Sequence, residues 1–296
     1  MAVIGCRATN PRYSLKCCEY DLAVFSGLSP IHSTRLEPHK TADNNKTIRI
    51  GDDWLELIYL PQPSGQNFIS LKNMVVFREY DNFMIPSVHG FQRNMDKGYL
   101  DRTMKKFGKR GIIDSLFYHE NITRNLSKQP LLAAMWLKIA AYSYLQGLLK
   151  LQGLNVMPLH ELNQIRDLTI EQKTSADGIM SALECIGVER ATKSSISRSL
   201  KDTIEFDNLS YGNSTLQDQE LFINKAKHLI DNRMLADCYY YVGKRRASSL
   251  IRKTSAFLLH NLKLIQDSLD LSADMQLTER LHRNLFEACK HTLRNN

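Results

Sequence analysis

Two carboxylates near the start of the chain have the spacing of a metal site. Glu19 and Asp21 are separated by one residue and begin an apolar run that continues to Phe25. In a β-strand successive side chains alternate between faces, so this spacing places both carboxylates on the same face. Two like charges side by side repel each other, and a bound cation relieves the repulsion. Because Mg²⁺ prefers oxygen ligands, the pair predicts a magnesium site.

Two further features of the chain extend this predicted site. The apolar run from Trp54 to Leu60 carries Glu56 among uncharged residues, and we expect Glu56 to be a third metal ligand. Arg7, Arg12 and Lys16 lie in the segment that precedes the two acids, where basic side chains could hold phosphates. The sequence therefore predicts a site for a metal ion together with a phosphorylated ligand.

In these residues the chain resembles the nucleotidyltransferase superfamily, the polymerase-β-like group. The motif of that group is an apolar strand, Gly-Ser or Gly-Gly, a short helix or loop, and Asp-x-Asp in a second apolar strand. Gly5 matches the glycine, and Cys6 stands where the group has Ser or Gly. Glu19 and Asp21 stand where it has the Asp pair. Many members place a third carboxylate on a later strand, and Glu56 is similar to it.

The resemblance, which extends to Gly65, implies an enzyme that moves a nucleotidyl group from a nucleoside triphosphate to an acceptor hydroxyl. It implies Mg²⁺ as the cofactor, because the metal stabilises charge on the attacking oxygen and on the leaving pyrophosphate. It also implies two sets of site residues: the catalytic and metal-binding carboxylates Glu19, Asp21 and Glu56, and the nucleotide-binding residues Gly5, Cys6, Arg7 and Lys16.

Two departures from the motif favour a second hypothesis, a catalytically silent protein of the same fold that works by interaction. Glu19 moves its carboxylate outward by one methylene relative to Asp, and the thiol of Cys6 is a weak hydrogen-bond donor. Such a protein could be antitoxin-like. A third hypothesis is nucleic-acid binding by five basic residues between Lys244 and Lys253, with the tyrosines at 239–241 stacking on bases.

Composition indicates a globular protein with an anionic partner. The 296 residues suffice for one large or two ordinary domains, and the net charge of +8 favours a nucleotide, RNA or an acidic protein as partner. The apolar stretch from Leu131 to Leu151 contains Lys138 and Lys150, which suits a buried helix and not a membrane span. The six cysteines form no C-x-x-C pair and the first residues lack a basic signal region, so we expect a cytoplasmic protein with reduced thiols.

The pattern of elements predicts an α+β fold with two domains. We expect a nucleotidyltransferase-like domain with a small mixed sheet at residues 1–112 and an all-helical bundle domain at residues 113–296. A hairpin is predicted over 47–60 around Gly51-Asp52-Asp53, and a further strand over 74–77. The glycine-punctuated basic stretch 90–111 is interpreted as a hinge or a partly helical connector.

Helical periodicity dominates the second half of the chain. The spacing of apolar residues predicts a series of helices: 130–153, one opened by Pro158, 175–187, a long one from Leu216 to Val242 that could continue to Leu269, and 277–293. The segment 208–214 is interpreted as a turn because of its Gly, Asn and Ser residues. No proline follows Pro158, which agrees with uninterrupted helices.

Overall fold

The computed structural model describes residues 2–9, 11–25, 46–60, 75–76, 97–171, 176–211 and 216–296. Within these ranges the protein is mixed α+β, with strands near its start and helices from Lys97 onwards. The chain divides into two units, Met1–Thr103 with Thr215–Lys225 and Met104–Ser214 with Ala226–Asn296. The predicted boundary between residues 112 and 113 stays a prediction; both it and the division after Thr103 fall within one helix, Lys97–Asn125.

Among the described residues, five strands form one sheet in the first unit. They are β1 (Ala2–Ile4), β2 (Tyr20–Phe25), β3 (Lys46–Ile50), β4 (Asp53–Leu60) and β5 (Val75–Val76). The order in the sheet is β3-β4-β2-β1-β5, with β2 and β4 parallel and the other neighbours antiparallel. The predicted hairpin is confirmed as β3 and β4. Gly51 has a φ of +62° in its turn, a conformation that glycine adopts without steric cost.

In the described ranges the remaining regular structure is helical, with 3-10 turns at Pro11–Tyr13 and Val188–Arg190 and a series of α-helices. In chain order they are α1 (Gly5–Thr9), α2 (Lys97–Asn125), α3 (Pro130–Leu151), α4 (Glu161–Glu171), α5 (Ala176–Ile186), α6 (Lys193–Tyr211), α7 (Leu216–Asp231), α8 (Leu235–Leu250), α9 (Ser255–His260), α10 (Leu262–Leu269) and α11 (Met275–Arg294). The helices predicted over 130–153, 175–187 and 277–293 are confirmed as α3, α5 and α11, with small shifts at their ends.

Two predictions about helix ends were wrong. The segment from Leu216 to Leu269 is not one helix but four, α7 to α10. The first break comes at Arg233, whose φ of +60° ends α7, while the amide of Met234 reaches back to the carbonyl of Leu229 at 2.8 Å. The left-handed residue that ends a helix in this way is usually a glycine, so an arginine at this position does not mark the helix end in the sequence. The predicted turn over 208–214 is helical to Tyr211, and the remaining residues lie outside the described ranges.

The core of the second unit is built around α3. This helix is buried on most of its surface and packs against α5, α8, α10 and α11. A Cβ on Gly147 would lie 2.9 Å from the carbonyl oxygen of Gly108 in α2, so the two backbones approach closely because both residues lack a side chain. The prediction of a buried helix here is confirmed. Across the part of the chain that the structure describes, none of the helices has the length and apolarity that crossing a bilayer requires.

Candidate metal centre

The sheet brings the three predicted carboxylates together. Glu19 directly precedes β2, and Asp21 is its second residue. Asp21 pairs with Glu56 in the parallel ladder between β2 and β4, so both side chains point to the same face. Each of the three residues offers one carboxylate oxygen that lies within 4.8 Å of the others. The juxtaposition follows from strand register, which local sequence does not reveal.

Gly5 leaves the space that the Asp21 carboxylate occupies. Ile4 pairs with Asp21 across β1 and β2, and Gly5 follows with a φ of +74°. A Cβ on Gly5 would lie 1.7 Å from Oδ2 of Asp21, a separation at which the two atoms would overlap. The glycine of the motif is therefore explained by the carboxylate beside it. In the described structure Gly5 makes room for an acid, whether or not its backbone also contacts a phosphate.

The three carboxylates are electrostatically coupled. Burial raises the pKa of Asp21 to about 8, with further contributions from the charges of Glu19 and Glu56, while Lys225 acts in the opposite direction. A carboxyl with this pKa holds a proton near neutral pH when no cation is bound. The cluster can therefore lower its charge in two ways, by keeping a proton on Asp21 or by binding a cation.

Lys225 is the residue of this site that the sequence analysis missed. Its Nζ donates to Oε1 of Glu19 at 2.6 Å and lies 2.5 Å from Oε2, so one ammonium group contacts both oxygens. Lys225 lies in the part of α7 that belongs to the first unit. The same segment is tied to β3 by a hydrogen bond from Thr47 to Asp218 and by an ion pair of Arg49 with Glu220 at 2.8 Å. No local motif marks a lysine so far along the chain from its partner.

Arg7, predicted to hold phosphates, binds the backbone of its own unit. Its guanidinium donates to the carbonyl oxygen of Cys18 at 2.7 Å and to that of Glu19 at 3.3 Å. It also lies 4.1 Å from the ring centroid of Tyr20. These contacts fix the segment that enters β2, so Arg7 orients Glu19 through the main chain. Its predicted phosphate contact stays a prediction.

The remaining predicted nucleotide-binding residues differ in their surroundings. Cys6 is buried, and a hydrogen bond with Cys18, together with burial, raises the pKa of its thiol well above the ordinary range. The neutral thiol is a weak donor, which gives it little to offer a phosphate. Lys16 is exposed, and Arg12 lies 6.0 Å from the ring centroid of Tyr13. For Lys16 and Arg12 a role in phosphate binding stays a prediction.

The basic segment of α8, proposed from sequence as a nucleic-acid-binding surface, turns mostly inward within the second unit. Lys244 is buried and forms an ion pair with Glu161. Arg245 binds Asp207 at 2.9 Å, and Arg246 is buried with its guanidinium over the ring of Phe206. Three of the five basic residues therefore have partners within the second unit, while Arg252, beyond the end of α8, is exposed; nucleic-acid binding by this segment stays a prediction.

A cavity of about 130 Å³ in the second unit is lined in part by a buried lysine, Lys138. The Nζ of Lys138 donates to the carbonyls of Ile186 at 2.7 Å and Leu269 at 2.6 Å, and to the hydroxyl of Tyr239 at 3.2 Å. The two carbonyls close α5 and α10, where helix dipoles favour a cation. Burial lowers the pKa of Lys138 to about 7. Since these three contacts use all three of its donors, Lys138 is a structural lysine and not a nucleophile.

The donors of the carboxylate cluster fit Mg²⁺. Three carboxylate oxygens on one face are hard ligands of the kind that Mg²⁺ and Mn²⁺ prefer. Gly5 gives the Asp21 carboxylate its place on this face, since a Cβ on Gly5 would overlap with Oδ2. The ammonium of Lys225 already lies against Glu19, so one carboxylate of this face is paired with a cation of the protein itself. A metal ion would then be held chiefly by Asp21 and Glu56, with Glu19 shared between the ion and Lys225.

Comparison of the chain with protein-family models, with curated proteins and with solved structures found no match. Functional conclusions therefore depend on the geometry of the site itself.

Proposed function

We propose that the protein is a Mg²⁺-dependent nucleotidyltransferase that uses a nucleoside triphosphate and an acceptor hydroxyl. The observation that supports this is the convergence of Glu19, Asp21 and Glu56 to within 4.8 Å on one face of the sheet. The order of the elements, apolar strand, Gly5, short helix and acid-bearing strand, is also the order of the motif that the sequence resembles.

In the proposed reaction the acceptor oxygen attacks the α-phosphorus of the nucleotide. The bond from that phosphorus to the bridging oxygen breaks, pyrophosphate leaves with the electron pair, and the hydroxyl proton passes to a carboxylate or to solvent. Mg²⁺ bound here would supply Lewis-acid stabilisation of the developing negative charge. Asp21 and Glu56 would hold the metal, and Lys225 would exchange part of its contact with Glu19 for the anionic triphosphate.

Metal-dependent binding of a nucleotide tests this proposal. A non-hydrolysable nucleoside triphosphate is titrated into the protein by calorimetry with and without Mg²⁺, for the wild type, Asp21→Asn and Glu56→Gln. We expect each variant to weaken Mg²⁺-dependent binding at least about tenfold, because one negative charge beside a dication is lost. The matched control is Asp52→Asn, an exposed acid in the β3–β4 turn. Equal binding by Asp21→Asn and the control would exclude the proposed site.

The contact between Lys225 and Glu19 favours a second candidate, a catalytically silent protein of this fold. In that case the ammonium replaces the metal permanently, and the cluster stabilises the unit. The two candidates differ in one observable. The silent protein binds neither Mg²⁺ nor Mn²⁺ at the cluster, and Lys225→Met destabilises it without creating a metal site.

A further inference from the structure

Helix α2 presents an exposed group of four cations in the second unit. Lys105, Lys106, Lys109 and Arg110, here called the basic stripe, are all exposed. Among the residues that the structure describes, none of the four forms an ion pair or a side-chain hydrogen bond. The charge of the basic stripe therefore faces solvent without compensation.

Among the described residues some exposed cations are paired and others, such as Lys193 and Lys227, are not; the basic stripe differs in that four unpaired cations lie together. At several exposed helical positions a basic residue has an acid one turn away, as in Arg124 with Glu120, Lys263 with Asp267 and Arg283 with Glu279. In the basic stripe Lys105 precedes Lys109 and Lys106 precedes Arg110 by four positions, and the acids one turn beyond its ends, Asp101 and Asp114, form no ion pair with it in the described structure. Like charges at this spacing repel, and a bound polyanion removes that cost.

The exposed face of α2 continues from the basic stripe to an aromatic ring. Ile113 and Phe117 follow Lys109 at intervals of four residues, which places them along the same side of the helix. Phe117 is 71% exposed and Ile113 is 51% exposed. The opposite side of α2, which includes Met104 and Ile122, is buried in the core. Phe117 is therefore an aromatic side chain that the fold itself does not use.

We infer that this face of α2 is a docking surface for single-stranded RNA. Unpaired cations can contact the phosphates, and a solvent-facing ring can stack on a base, which is the combination used for single strands. The basic stripe and Phe117 span about 18 Å along the helix, enough for several nucleotides. A bilayer surface fits less well, because only two large apolar side chains are exposed among those described in α2, and the acids Asp114 and Glu120 flank them.

Salt dependence of RNA binding tests the role of the basic stripe. A labelled oligouridylate of about 20 nucleotides is titrated with the full chain and followed by fluorescence anisotropy. If four phosphates are neutralised, log K should change with log salt with a slope of about −3, so affinity should fall about 50-fold between about 50 and 200 mM salt. Replacing all four cations of the basic stripe by Gln should abolish most of this dependence.

A matched control separates the basic stripe from the net charge of the protein. The quadruple variant Lys263→Gln, Arg280→Gln, Arg283→Gln and Lys290→Gln removes the same charge from exposed or half-exposed, ion-paired positions elsewhere in the second unit. We expect the control to bind RNA within about threefold of the wild type, since its cations are already compensated. An equal loss in both quadruple variants, or no RNA binding by the wild type, would overturn the inference.

Phe117 distinguishes RNA from the other possible occupants. Phe117→Leu keeps an apolar side chain but removes the ring, so RNA binding should weaken about tenfold if a base stacks there. Vesicles with anionic lipids and a polyglutamate peptide are titrated in parallel. RNA binding that is unchanged in Phe117→Leu, or binding to vesicles or polyglutamate as tight as to RNA, would refute RNA as the occupant.

Discussion

The close approach of Gly5 to Asp21 allows a sharp test of the candidate site, the substitution Gly5→Ala. The new Cβ would lie 1.7 Å from Oδ2 and 2.7 Å from Cγ of Asp21, whereas non-bonded carbon contacts need about 3.5 Å. The Asp21 carboxylate must therefore leave its place. The substitution also puts an alanine at a φ of +74°. We expect both a less stable first unit and loss of Mg²⁺ binding.

Gly51→Ala is the control that isolates the backbone cost. Gly51 has a φ of +62°, but a Cβ there would have nothing within 4 Å. A positive φ costs a non-glycine residue about 1–2 kcal/mol, and forcing extra atoms into a packed site costs about 1–3 kcal/mol more. Gly51→Ala should therefore lower the free energy of unfolding by about 1–2 kcal/mol. Gly5→Ala should lower it by about 2–5 kcal/mol.

Asp21→Ala completes a double-mutant cycle. With the Asp21 carboxylate removed, the nearest remaining contact of the new Cβ is the Asp21 Cβ at 3.2 Å, which a small shift relieves. Gly5→Ala should then cost about 1–3 kcal/mol less than it does beside the intact aspartate. Urea unfolding is followed by the fluorescence of Trp54 in β4, in a Trp136→Phe background that removes the other tryptophan. Equal destabilisation by Gly5→Ala and Gly51→Ala, or a Gly5→Ala effect of undiminished size in the Asp21→Ala background, would refute the reasoning.

Three further predictions concern titration and charge. Burial and the neighbouring acids raise the pKa of Asp21 to about 8, so its carboxyl is protonated at pH 7 when no cation is bound. Mg²⁺ binding should therefore release a proton and should strengthen as the pH rises to about 8. Calorimetry in buffers of different ionisation enthalpy measures this release, and binding heats that are the same in all buffers would contradict it. Lys225→Met should strengthen Mg²⁺ binding, because both oxygens of Glu19 become available; weaker calorimetric binding would show that Lys225 supports the metal site. Burial and the neighbouring His282 lower the pKa of His119 to about 3, so between pH 7 and pH 5 the unfolded chain takes up a proton at this residue that the folded chain does not. The free energy of unfolding, measured with urea, should therefore be about 2 kcal/mol lower at pH 5 than at pH 7. His119→Phe should remove this difference.

Several elements of the fold were readable from sequence because local interactions determine them. Apolar residues at helical spacing predicted α3, α5 and α11, and the polar turn around Gly51 predicted the β3–β4 hairpin. The spacing of Glu19 and Asp21 likewise identified the two acids as a pair. In each case the relevant residues lie within a few positions of one another, so the pattern and the interaction coincide.

Helix ends in the second half of the chain depended on less visible signals. The end of α7 uses Arg233 in the left-handed region, where a glycine would have marked it. The start of α9 uses Thr254, whose side chain accepts a hydrogen bond from the amide of Phe257. One capping threonine among many threonines is a weak signal, so an apolar pattern that runs through both positions predicts a single helix.

Tertiary structure alone decided whether each charged side chain is buried, paired or exposed. The sequence presented Lys225 as one of many lysines, Lys244 and Arg246 as part of a basic surface, and the cations of α2 as part of a connector. In the fold, Lys225 contacts Glu19, Lys244 and Arg246 are buried, and the basic stripe stays exposed. The sequence by itself determined which residues are charged and which helical face or strand face they occupy. Whether a charge is then neutralised depends on partners brought close by the packing of distant segments, because the energy of an ion pair varies with distance and burial and not with separation along the chain.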